Sequence, residues 1–195
     1  ACGKVPTEEP GKAFNRFVGD FESGNLDNFH FLVVDRSVNT IIQQSPVRKG
    51  SYSMRNVLRP TDYVNNGYRS ELAVYNCAYY RTEVYYGFSL YIDPAYTDDR
   101  YNLLAQWQDL PYFAQGEDWS QIPQLKGSSP PLALVYVNGN FELKMNDNPM
   151  SLGSTFPIAN AMTASKGVWY DFLFRIYWSD DGDGFVEARI NGNYW

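Results

Sequence analysis

The sequence predicts an all-β protein, a jelly-roll sandwich of two antiparallel sheets, and three observations carry that reading. Short runs of β-branched and aromatic residues follow one another, separated by Gly, Asn, Asp and Pro. Asn138-Gly139 and Asn191-Gly192 sit beside such runs, the pattern of a tight hairpin turn whose central residues both need positive φ. No stretch of twelve or more residues places apolar positions at helical spacing, and no internal repeat is present.

Taken in order, residues 1–13 hold prolines and glycines without periodicity and read as a tether. Residues 14–195 read as one domain. Within it, Glu83 to Ile92 alternates: Val84, Tyr86, Phe88, Leu90 and Ile92 share one face, the mark of a half-buried strand. Leu132 to Val137, Asn138-Gly139 and Phe141 to Met145 form the strongest hairpin signal in the chain. Val168 to Trp178 is apolar on nearly every position and predicts a central strand covered on both faces. Ser179 to Gly184 then turns the chain into Phe185 to Ile190, and Asn191-Gly192 opens a further hairpin whose returning strand is either very short or continues in a longer natural protein.

Composition narrows the function. A net charge of -6 without any cluster of Lys and Arg lacks the electrostatic footprint of nucleic-acid binding. The longest apolar run, Leu132 to Val137, is far short of the roughly 20 residues that cross a bilayer. With 44% hydrophobic and only 19% charged residues, the chain buries a sizeable core and leaves a surface of Tyr, Asn, Ser and Gln suited to sugar hydroxyls and ring faces. Cys2 in a polar, Pro-containing stretch has the look of a lipid-carrying N-terminus; the alternatives are a free thiol or a pairing with Cys77, and all favour a secreted, periplasmic or surface location.

Alternation also places chemistry. Arg69 and Glu71 fall on one strand face, with Ser70 and Leu72 opposite; Asn102, Gln106 and Gln108 fall on another face, with Leu103, Ala105 and Trp107 directed inward. A guanidinium fork and several carboxamides are donors suited to a carboxylate. The plainer reading of each motif alone is an Arg69–Glu71 ion pair and a solvated row of amides. His30, between core aromatics, reads as structural.

Arg69-Ser70-Glu71-Leu72, Gln106-Trp107-Gln108, Pro130-Pro131-Leu132-Ala133-Leu134 and Trp169-Tyr170-Asp171, after an opening Gly19-Asp20-Phe21-Glu22-Ser23-Gly24, together resemble the jelly-roll polysaccharide lyases of the glucuronan lyase and heparin lyase I kind, related to alginate lyases of concanavalin-like fold. The resemblance implies β-elimination on a polymer containing uronic acid (glucuronan, alginate or glycosaminoglycan); a monomer is expected. It implies Gln106 as the amide that neutralises the uronate carboxylate and Arg69 as a supporting donor. Two positions depart from the pattern: Gln108 stands where a histidine base is expected, and the family's late strand with Lys and Tyr does not follow Trp195. A tyrosine then takes both proton-transfer roles, with Tyr136 and Tyr177 the strand-borne candidates; the alternative is a non-catalytic carbohydrate-binding module or an inactive lyase relative. Glu71, Asn102, Tyr112 and Trp119 complete the expected substrate-binding surface. Asp20, Glu22, Asn25 and Asp171 form a candidate set for one structural Ca²⁺, with turn formation the plainer reading of the same carboxylates.

Overall fold

The computed structural model describes residues 16–27, 29, 31–33, 39–64, 67–74, 78–79, 81–98, 101–108, 130–146, 155–179 and 181–195. Among them the ordered elements are strands, and no α-helix occurs. The chain clusters into two compact units, Ala1–Val84 with Ile176–Phe185, and Tyr85–Arg175 with Val186–Trp195.

The first unit holds three two-stranded pairings. β1 (Phe31–Val33) pairs with β6 (Glu71–Ala73), β2 (Thr40–Gln43) with β3 (Ser53–Asn56), and β4 (Tyr63–Val64) with β5 (Gly67–Tyr68), all antiparallel. The loop before β3 is held by Glu22, whose carboxylate accepts the backbone N–H groups of Ser51 and Tyr52 at 2.9–3.0 Å. Gly50 in that loop has φ +79°, and a side chain there would collide with Glu22.

The second unit contains the core. One sheet runs β11 (Thr155–Pro157), β10 (Asn140–Asn146), β9 (Leu132–Val137), β8 (Asn102–Trp107), with β12 (Met162–Thr163) also paired to β10. The other runs β15 (Asn193–Tyr194), β14 (Phe185–Ile190), β13 (Trp169–Trp178), β7 (Thr82–Tyr91). The apolar faces of the two sheets meet through aromatic rings. Phe141 of β10 sits edge-on to Tyr170 at 5.0 Å and to Phe172 at 5.2 Å, and Trp107 meets Phe174 at 4.9 Å; within the second sheet Phe88 stacks on Phe172 and Phe174. Ring pairs in these edge and offset geometries add about 0.5–1.5 kcal/mol each beyond the area they bury. Leu134, Val135 and Tyr136 of β9 are fully buried. Both hairpins form as their turn residues predict: Asn138 and Gly139 have φ 49° and 75°, and Asn191 and Gly192 have 51° and 82°.

Two expectations require correction. β13 lies inside its sheet, but it is covered on one face: Tyr170, Phe172, Phe174 and Ile176 are buried, whereas Leu173 on the other face is 41% exposed. β8 does not alternate throughout, because its pairing with β9 shifts between Leu103 and Ala105. One extra residue in a strand turns everything before it onto the other face. Asn102, opposite Tyr136, therefore faces the core, while Leu103 and Gln106 face outward.

Candidate active site

Gln106 lies opposite Ala133 of β9, which lies opposite Lys144 of β10. Directly opposed residues in antiparallel strands project to the same face, so carboxamide, short methyl and ammonium form one outward row across three strands. Strands stand about 4.8 Å apart, which sets the backbones of Gln106 and Lys144 roughly 10 Å apart, with little side chain between them. Lys144 pairs with Glu142 at 3.1 Å, and its ammonium lies 5.1 Å from the centre of the Tyr101 ring. Tyr101 is 56% exposed. The outer face of this sheet thus presents Gln106, Lys144, Glu142 and Tyr101 together. Gln108, two residues beyond Gln106, falls on the same outward side by alternation. An amide accepts and donates hydrogen bonds but takes no proton at ordinary pH. Lys144 and Tyr101 escaped the sequence reading: the signal was a lone polar pair, Glu142 and Lys144, alternating with Phe141, Leu143 and Met145.

Arg69 stands in the first unit, just before β6. Its guanidinium lies 3.6 Å from Glu71, the ion pair that the plainer reading of Arg-x-Glu anticipates. The side chain folds across Gly67, where an added Cβ would come within 2.9 Å of Nη2, and its Nε is buried without a hydrogen-bond partner. Beside it Tyr63 and Tyr68 meet edge to face at 5.1 Å, 58% and 59% exposed.

The tyrosines named as proton carriers are placed otherwise. Tyr136 is fully buried on the inner face of β9, and its hydroxyl donates to Asp98. Burial foremost, then the bond and charge of Asp98, holds its ionisation far above the ordinary tyrosine value. Asp98 also pairs with Lys166 at 2.7 Å, and the hydrogen bonds from Lys166 and then Tyr136 pull its carboxyl below the usual range. This network ties the loop after β7 to the sandwich, and it engages the Tyr136 hydroxyl with Asp98. Tyr177 stacks on Phe185 at 6.0 Å, on the face of β13 opposite that strand's buried residues and in a different sheet from Gln106. Asn102, facing the core, is withdrawn from the substrate surface.

The calcium set does not fit a metal. Both oxygens of Glu22 accept backbone N–H bonds; Asp20 Oδ1 accepts from the Glu22 N–H at 3.1 Å, and Asn25 Oδ1 from Ser23 and Asp27 at 3.0 and 3.1 Å. Asp171, in the second unit, accepts from Ser89 at 2.7 Å. Calcium needs six to eight oxygens turned inward; here those of Asp20 and Asn25 close local turns, and those of Glu22 and Asp171 hold more distant donors. Among the described residues no group of three or more His, Cys, Asp or Glu is arranged to hold a metal, and no helix is long and apolar enough to cross a membrane. Cys2, His30, Cys77, Tyr112, Trp119 and the tether 1–13 lie outside the described residues.

The polysaccharide lyase family model matches residues 21–194. The chain belongs to the polysaccharide lyase family. The lyase is also similar in structure to an endo-β-1,4-glucuronan lyase from the fungus Trichoderma reesei, with a TM-score of 0.64 and 16% identity over 87% of this chain and 70% of that one. No curated protein matches the chain. Family and fold therefore agree with the jelly-roll reading of the sequence, and a likeness at this identity carries the architecture of the lyase rather than its site.

Proposed function

We propose that the lyase cleaves a polymer containing uronic acid by β-elimination, with Gln106 at the centre of the site. The carrying observation is the row Gln106–Ala133–Lys144, a neutral donor and a cation on one sheet face with only a methyl group between them. A uronate resists loss of its C5 proton while its carboxylate holds full charge; hydrogen bonds from Gln106 and the ammonium of Lys144 stabilise the charge that spreads onto that group in the transition state. Within the first unit, Arg69 is a donor suited to a carboxylate, and the exposed rings of Tyr63 and Tyr68 suit sugar faces.

Tyr101 is the described tyrosine on this face and takes the proton-transfer roles. As phenolate it accepts the C5 proton; the C–H electron pair forms the C4–C5 double bond; the C4–O bond breaks, and the departing oxygen takes a proton from the tyrosine hydroxyl. A substrate of this kind places the protein's work outside the cytoplasm.

The test is growth of the ultraviolet absorbance of unsaturated uronate on glucuronan, alginate and heparin. Gln106→Ala, Lys144→Ala and Tyr101→Phe each lower that rate by on the order of a hundredfold or more. A Tyr101→Phe enzyme of undiminished kcat would remove Tyr101 from the mechanism. The second reading, a binding module without turnover, is favoured by Gln108 in the expected histidine position and by the burial of Tyr136. Binding to the polymer with no growth of absorbance in the unaltered protein would establish it.

A further inference from the structure

Within the second unit, the outer face of the four-stranded sheet is exposed at Tyr85, Leu173 and Tyr194. β7 contributes Tyr85, β13 Leu173 and Arg175, β14 Glu187 and Arg189, and β15 Tyr194; within the second unit these line a shallow groove of about 300 Å³. Tyr85 and Tyr194 are 60% and 69% exposed. Arg189 lies over the Tyr194 ring, 4.1 Å from its centre, and bonds its hydroxyl. Glu187 sits between the two guanidiniums, 3.5 Å from Arg175 and 3.3 Å from Arg189.

The groove therefore carries two cations against one anion on a chain whose net charge is -6. Ion pairs this open to water contribute little, so an incoming carboxylate displaces Glu187 at small cost. Guanidinium is the planar fork that matches a carboxylate, and exposed tyrosine rings suit pyranose faces. A second copy of the chain is a poor occupant: six residues around a shallow groove fall well short of the roughly 800 Å² per partner that a stable pair buries.

We infer that this groove is a second binding site for an acidic polysaccharide, on the face of the sandwich opposite Gln106 and Lys144, which holds the polymer without cleaving it. The choice of polymer rests on the proposed function; the groove's geometry does not.

Affinity electrophoresis of the full chain through gels containing glucuronan, heparin or neutral dextran tests it. The two acidic polymers retard the protein and dextran does not. Arg175→Gln with Arg189→Gln weakens retardation by about tenfold, with unchanged near-ultraviolet circular dichroism. Glu187→Gln strengthens it, a change that misfolding cannot imitate. In a Gln106→Ala background the groove still retards the protein while the absorbance of unsaturated uronate is lost. Equal retardation of the unaltered and doubly substituted proteins overturns the groove, whatever the cleavage result. Absence of cleavage alongside arginine-dependent retardation overturns the lyase reading and upholds the groove. A dimer in solution that Tyr194→Ala dissolves overturns the sugar assignment and makes the face a contact between copies.

Discussion

At the scale of single residues, Tyr136 and Asp98 show how burial decides a role that residue type leaves open. A buried phenol that donates to a carboxylate anchors a loop. Tyr136→Phe removes that bond but keeps the ring among its neighbours. The carboxylate end is in contact with water, so the loss is about 1 kcal/mol, lowering Tm by about 2–4 °C in a chain of this size, while the rate of uronate cleavage stays within twofold. A hundredfold loss of rate in a folded variant would return Tyr136 to the mechanism. The same pair sets a pH window. The Asp98 pKa is depressed, so its contribution is fully present above the ordinary aspartate range near 4 and is lost as pH falls toward the lowered value. The Tyr136 pKa is raised, so its contribution is present below about pH 10 and is lost above that. Urea midpoints measured against pH fall on both sides of a plateau, and Tyr136→Phe flattens the alkaline fall; an unchanged alkaline limb would contradict the assignment.

At the scale of elements, what the sequence disclosed and what it hid have separate physical causes. The Asn138-Gly139 and Asn191-Gly192 turns were legible because positive φ at two adjacent positions leaves few residue choices. β7 was legible because one face is wet and the other dry. β13 was misread because Leu173 and Tyr177, apolar residues on an open face, look in sequence like residues of a covered one. The shift in β8 was hidden because an extra residue alters no composition; it sent Asn102 inward and left Gln106 outward. β9 offered no polar side at all, so Tyr136 could not be assigned a face. Lys144 was hidden because cross-strand register, which lines it up with Gln106, is a long-range property. The one-sided cover of β13 has a direct test in paired substitutions. Leu134→Ala, in the sealed centre of β9, costs about 2–5 kcal/mol. Leu173→Ala costs about 0.5 kcal/mol or less, as an open position does. Equal costs in urea denaturation would mean that something covers the outer face.

At the scale of the whole molecule, the second unit presents two outward faces of different character around one aromatic core: a carboxamide–lysine row on one sheet and an arginine–tyrosine groove on the other. The first is assigned the chemistry and the second the holding of the polymer. The central claim is that Gln106 acts by masking the uronate charge. The most direct measurement compares initial cleavage rates of the unaltered protein and Gln106→Ala on glucuronan and on its methyl ester, in which the carboxylate is already neutral. On the free acid the ratio of rates is on the order of 10²–10³, and on the ester it falls to within a few-fold of one. The same large ratio on both polymers, or no difference on either, would contradict the account.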